Sequence, residues 1–270
     1  MKRQWYAAPY ALWMLLFTLV PLLFVAYYAF SDGNGGFTTV NIMRIFQPGY
    51  LPVLLDSLKL SLYCTLICLL IGYPTAYFLA SRDFSENKML VVLILLPMWM
   101  NFLLRTYAMM TILENNGLIN MLLEKLGLGK IQFIGTEGAV LLGMVYNFLP
   151  FMVLPVYTAL KKLDARVIEA AEDLGANPVR VITRVIVPQS IPGVISGITM
   201  VFMPAVTTFA ITRLLSNGMI YLMGDMIEEF FITVNNRGAG SALSLIMLAL
   251  VLISTLLLRL ANPDARGGRA

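Results

Sequence analysis

Five stretches of this 270-residue chain, 8–30, 60–80, 138–160, 191–212 and 238–258, run for 21 to 23 residues without a charged side chain. A helix needs about 20 consecutive apolar residues to cross the roughly 30 Å hydrocarbon core of a bilayer. Within that core only a helix or a closed barrel satisfies its own backbone hydrogen bonds. Each stretch therefore predicts a membrane-spanning helix. A sixth run starts at residue 89, meets Arg105 after 16 residues and continues to Ile112. Composition agrees: 59% of residues are hydrophobic and 13% charged, against about 25% charged in soluble domains, and the mean hydropathy is +0.80. The expected fold is all-α, a polytopic membrane protein with six transmembrane helices in one bundle, residues 1–270 forming a single domain. The first run follows Lys2 and Arg3 and exceeds the 7–15 residues of a signal-peptide core, with no A-x-A site after it. It is expected to remain as the first span, kinked at Pro21.

The chain contains no histidine, which excludes Ser-His-Asp triads, HExxH zinc sites and His-ligated haem. Cys64 and Cys68, four residues apart in an apolar run, are read as small buried hydrophobes, with no metal site and no disulfide. The net charge of +4 points to cytoplasmic loops rather than to nucleic acid, because Lys and Arg accumulate on the inner side of membrane proteins. With the N-terminus inside, 12 of the 19 basic residues fall on the inner side. Both termini and the polar stretch 161–184 are then cytoplasmic.

That stretch carries the most information. Asp164 is an N-cap candidate. Val167, Ala171 and Leu174 repeat at i, i+4, i+7, and Gly175 sits where a glycine ends a helix. Asn177-Pro178 is a second N-cap followed by proline at the first helical position, and Pro188 is expected to stop the second helix. Glu169, Glu172 and Asp173 form an acidic patch, Arg180 and Arg184 a basic one. Two short helices at an angle suit a solvated connector between spans, or a wedge that docks on a partner.

Glu169-Ala170-Ala171, three residues, Gly175, nine residues and then Val185-Ile-Val-Pro188 resembles the EAA motif of binding-protein-dependent ABC importer permeases, EAA-x3-G-x9-I-x-L-P. Val185 and Val187 stand where the motif has Ile and Leu, and keep its apolar character. Leu96-Pro-Met-Trp-Met-Asn-Phe-Leu-Leu-Arg-Thr-Tyr107 and Leu149-Pro-Phe-Met-Val-Leu-Pro-Val-Tyr157 look like the permeases of spermidine/putrescine importers, and the likeness covers nearly the whole chain. The resemblance implies a MetI-like, type I importer bundle in the bacterial inner membrane. It implies that 161–190 is a coupling segment in which Glu169, Ala170, Ala171 and Gly175 meet a groove on the ATPase. The implied partners are a second permease subunit, an ABC ATPase dimer and an extracytoplasmic substrate-binding protein. ATP is used by those ATPase subunits, with no cofactor on this chain.

Other features fit that role. Gly129-Lys130-Ile131 lacks the Ser/Thr and the earlier glycine of a Walker A loop, so the chain is expected to be a transport subunit and not an enzyme. Gly193-x-x-x-Gly197 allows close helix packing. Leu118, Met121, Leu122 and Leu126 predict a short amphipathic interfacial helix. Asn101 and Arg105 lie i, i+4 on the third span, with Arg105 either snorkelling to the outer interface or acting as an electrostatic gate. Trp99, Asn101, Arg105, Tyr107, Tyr146 and Asn147 are the substrate-pathway candidates. A permease for another small solute, an ion-coupled secondary transporter and an intramembrane enzyme are the competing readings. The charge-free runs hold none of the buried acids that ion-coupled carriers use.

Overall fold

Once folded, the apolar runs are helices, and the places where they break decide the architecture. The computed structural model describes residues 8–32, 36–81 and 88–260. The basic residues Lys2, Arg3, Arg82, Arg266 and Arg269, and the polar turn expected after residue 81, lie outside them. The chain runs through α1 (Ala8–Met14), α2 (Val20–Ala29), α3 (Val40–Met43), α4 (Tyr50–Ala80), α5 (Lys88–Trp99), α6 (Phe102–Leu113), α7 (Leu118–Lys125) and α8 (Glu137–Lys161). It continues through α9 (Ala165–Asp173), α10 (Pro178–Val181), α11 (Val187–Val206), α12 (Ala210–Leu215), α13 (Met223–Ile232) and α14 (Arg237–Leu260). The only extended pairing among the described residues is an isolated bridge between Ser31 and Phe37. Among the described residues five helical stretches are long and apolar enough to span a membrane: Pro9–Ala29, Tyr50–Ala80, Glu137–Lys161, Pro178–Val206 and Arg237–Leu258. The bent pair α5 and α6–α7 makes six.

α4, α8 and α11 pack on one another as the central layer. Their close approach depends on glycine. A Cβ on Gly72 would lie 2.9 Å from Met152 Cγ, one on Gly197 2.7 Å from Met152 Sδ, and one on Gly193 2.4 Å from the Ala159 Cβ. The Gly193-x-x-x-Gly197 pair thus serves packing within the chain, against α8. Cys64 and Cys68 are buried free thiols in the same apolar cluster. Ser57, Ser61 and Thr65 on α4 are also buried; each hydroxyl donates to the carbonyl four residues earlier at 2.6–2.7 Å. A second cluster, built on Ile45, Leu54, Val206, Met223, Leu243 and Met247, joins α14 to α13, and α14 also carries α2.

Three expectations change. The third span is not one straight helix: it breaks at Met100–Asn101 and the two parts meet at 94°. Pro97 starts the break, because it has no N–H to donate and its ring crowds the preceding turn. The Asn101 side chain then opens a new helix, accepting from the N–H groups of Leu103 at 2.9 Å and Leu104 at 3.4 Å. Asn101 and Arg105 are therefore not neighbours on a continuous membrane helix. Pro188, for its part, does not stop the second helix of the polar stretch. A π-helical turn at Ile182–Ile186 widens the ladder just ahead of the proline, absorbs its missing donor, and lets α10 run into α11. The fifth span is accordingly 178–206 and not 191–212, and residues 207–209 break the chain before α12. A similar π turn, Leu15–Leu19, precedes Pro21 in the first span.

Candidate functional site

The 161–190 segment leaves α8 at Lys161 and returns through α10. Asp164 caps α9, its Oδ1 accepting from the Arg166 N–H at 3.0 Å. Asn177 caps α10 in the same way, from the Arg180 N–H at 2.8 Å. Gly175 closes α9 at φ +80, a left-handed conformation open to glycine without penalty. The Ala176 N–H then donates to Ala171 O at 3.0 Å and the Gly175 N–H to Glu172 O at 2.9 Å, the paired bonds of a Schellman cap. The caps read from the sequence are all present.

The packed face of α9 is rotated from the one expected. Ile168 and Ala171 rest on the core, with Leu163 and Ala176 at either end. Val167 and Leu174 point outward, Leu174 being 89% exposed, and Val179 on α10 is exposed too. Ala170 is open on that side as well, and Glu169, also exposed, borders the opposite side. Single exposed leucines are ordinary, but exposed apolar side chains gathered on a capped wedge form a surface suited to a partner. Behind the wedge a cleft of about 460 Å³ is lined by Tyr77, Lys161, Ile168, Glu169, Glu172 and Ile182, among others.

The pathway candidates separate by exposure. Trp99 is 82% exposed, and Tyr107 and Tyr146 are also open. Asn147 is fully buried; its Nδ2 donates to Gly143 O at 2.9 Å and to Thr106 Oγ1 at 3.4 Å. Arg105 is buried too, at 4% exposure, so its side chain folds inward instead of snorkelling. The start of α6 meets α8 here: Arg105 lies near Tyr146, and Thr106 meets Asn147.

A further site went unrecognised in the sequence. At the other end of the fifth span, α12 and α13 enclose a cleft of about 260 Å³ lined by Arg213, Tyr221, Asp225, Glu228 and Glu229. Asp225 accepts from Thr212 Oγ1 and from the Leu222 N–H, both at 2.9 Å. Arg213 pairs with Glu228 at 2.6 Å, and the Tyr221 hydroxyl donates to Glu229. Ser57 of α4 anchors the hairpin from below, accepting from the Met223 N–H at 2.8 Å. A Cβ on Gly224 would lie 2.4 Å from Thr208 O, so α13 sits tight against the end of the fifth span. The i, i+3, i+4 spacing of the three acids on α13 was the available signal. Their meeting with Thr212 and Arg213 was not.

Burial lifts the Asp225 carboxyl from the usual 3.8 to about 6, against its hydrogen bonds, which favour the ionised form; nearby Glu228 adds to the rise. Burial together with Glu229 pushes the Tyr221 hydroxyl up as well. Because folding raises the Asp225 value, the cost falls on the ionised form: it is fully present above about pH 6 and fades as pH falls toward 4. Thermal melting of the purified complex should therefore show added stability between pH 7 and pH 5, and Asp225→Asn should flatten that rise. An unchanged pH profile in the variant would mean that another group is responsible.

Residues 69–267 match the family described as the binding-protein-dependent transport system inner membrane component, and the chain belongs to that family, as a permease subunit of an ABC importer. It is 39% identical over 241 residues to the spermidine/putrescine transport system permease protein PotB of Haemophilus influenzae, covering 86% of this chain and 84% of the relative. It is 36% identical to PotB of Escherichia coli K12, over 86% and 88% of the two chains. Among solved structures, a chain of a bacterial ABC transporter involved in import of the acidic polysaccharide alginate superposes with a TM-score of 0.76 at 18% identity, covering 97% of each chain. A bacterial alginate ABC transporter in complex with an alginate pentasaccharide-bound periplasmic protein gives 0.77 at 17% identity, over 98% and 96%. At that identity the likeness establishes the type I importer fold.

Proposed function

We propose that this chain, as a single domain, carries polyamines, spermidine or putrescine, across a bacterial inner membrane. It forms the path with a second permease subunit. An extracytoplasmic binding protein delivers the cargo, and two ATPase subunits dock on 161–190 and hydrolyse the ATP; the chain itself has no ATPase site and holds no cofactor or metal. Both termini and the 161–184 stretch face the cytoplasm. The observation that carries the reading is the outward surface of α9, where Val167, Ala170 and Leu174 stand exposed on a wedge stiffened by three caps, with Glu169 exposed at the edge of the cleft behind it. Such a surface transmits force only when a partner covers it.

The cargo assignment rests on the relatives and on chemistry. A linear cation with several ammonium groups needs compensation in a low-dielectric path. The acidic cleft of Tyr221, Asp225, Glu228 and Glu229 lies at the far end of the 178–206 helix, about 43 Å from the wedge at 1.5 Å per residue, on the side where cargo arrives. Trp99, Tyr107 and Tyr146 offer ring faces, each worth about 0.5–2 kcal/mol to a cation. Contacts this weak suit a path that must let its cargo go. Asn101 caps the helix that follows the break, Asn147 ties that helix to α8 through Thr106, and Arg105 is the electrostatic gate on the path.

Trp99→Leu and Tyr146→Leu should each cut spermidine uptake by the reconstituted complex about twofold to thirtyfold, the range a 0.5–2 kcal/mol contact allows. Complex assembly and basal ATP hydrolysis should be unchanged. Normal uptake in both variants would refute the aromatic pathway, and a complex that prefers a sugar or an anion would refute the polyamine assignment.

A further inference from the structure

Arg105 is a cation without a counter-charge. Its side chain is 4% exposed, its Nε and Nη1 are sealed from solvent without an acceptor, and no carboxylate among the described residues forms an ion pair with it. The nearby titratable side chain is the phenol of Tyr146. The adjacent Asn147 Oδ1 is likewise buried without a donor. A guanidinium does not shed its proton to escape such a site, and a buried charge left unpaired costs several kcal/mol. None of the described residues supplies the missing charge.

The helix break next to it says from where. α5 has 12 residues and rises about 18 Å, well short of the roughly 30 Å hydrocarbon core. The break at Met100–Asn101 therefore falls within membrane depth. Trp99 and Met100 are exposed there, as is Asn101. Irregular backbone at that depth is tolerated only against protein or a water-filled cavity, because hydrocarbon cannot satisfy its freed N–H and C=O groups. Lipid is thus the wrong cover for this surface, and a polyamine, itself cationic, is the wrong partner for Arg105. We infer that the face formed by the break and the start of α6 (Met100, Leu103 and Leu104) is the contact with the second permease subunit, and that this subunit brings an Asp or Glu carboxylate to Arg105. The pair would remove a positive charge that otherwise repels a cationic cargo passing the aromatic ring faces. The inference rests on the functional reading above, in which a second permease completes the path.

The test uses the complete transporter. With the photoreactive residue p-benzoylphenylalanine placed at Leu104, which is exposed and leaves Arg105 intact, irradiation should link this chain to the second permease. Arg105→Glu should lower uptake at least tenfold, and selection for recovered uptake should return an Asp or Glu changed to Lys or Arg in the second permease. Cross-links confined to lipid or to this chain, recovery that maps only to this chain, or an Arg105→Leu complex that transports like the wild type would overturn the inference. A purified transporter with no second permease in it would instead refute the functional reading itself.

Discussion

Gly175→Val is expected to leave the permease inserted and assembled while abolishing most of its transport. The substitution meets no steric obstacle, since a Cβ at Gly175 has nothing within 4 Å. Its cost is conformational: φ is +80, and a β-branched residue in the left-handed region loses about 1–2 kcal/mol. The chain escapes by opening the cap, which frees the Ala176 and Gly175 N–H groups from Ala171 and Glu172 and lets Leu174 and the end of α9 swing. The wedge lies outside the bilayer, so the α4–α8–α11 layer does not feel the change. Uptake should fall at least tenfold at normal complex yield, with ATP hydrolysis no longer tied to transport. Gly175→Asn should keep much of the activity, because asparagine visits the same region at lower cost. Glu169→Arg should give the valine phenotype by another route, reversing the charge at the docking surface. Coupled, wild-type transport in both Gly175→Val and Glu169→Arg would refute the assignment of 161–190.

Gly193→Leu should do the opposite, removing the folded protein and not its coupling. Its Cβ would sit 2.4 Å from the Ala159 Cβ and 2.8 Å from Pro155 O, and a backbone oxygen cannot step aside as a side chain can. Overpacking of this kind costs about 1–3 kcal/mol and sometimes more, a fall on the order of 5–10 °C in the melting temperature of the solubilised complex. Gly197→Ala meets the flexible Met152 Sδ at 2.7 Å and should be milder. Combining Gly193→Ala with Ala159→Gly removes the closest contact and should recover part of the loss. If Gly193→Leu melts like the wild type, α8 and α11 do not pack as described.

The outward side of α9 shows how far sequence spacing reaches. Val167, Ala171 and Leu174 have the right spacing for a single apolar stripe. That pattern is silent on whether the stripe meets the protein's own core or a partner, and here the stripe divides: Ala171 turns in while Val167 and Leu174 turn out. The third span shows the same limit. Pro97 and Asn101 are both visible as helix breakers, but a proline in a membrane helix is as compatible with a gentle kink as with a 94° bend. Pro188 misleads in the other direction, because a π turn five residues long is enough to carry a helix past a proline.

By itself the sequence determined the number and rough place of the spans, the caps at Asp164, Gly175 and Asn177, and the family motif. All of these depend on contacts within one turn of helix or on the requirement that about 20 residues match the thickness of a bilayer. Only the tertiary structure decided which polar groups are shielded and which are open. Asn147 is buried because it meets Thr106, 41 residues away. The α13 hairpin is held because its Met223 N–H reaches Ser57, 166 residues away. Asp225 becomes a raised carboxyl because α12 folds back over it. Arg105 has no counter-charge among the described residues because the helices packed around it supply no acid. Those outcomes are set by which distant side chains share a low-dielectric space, and no local pattern of residues encodes that.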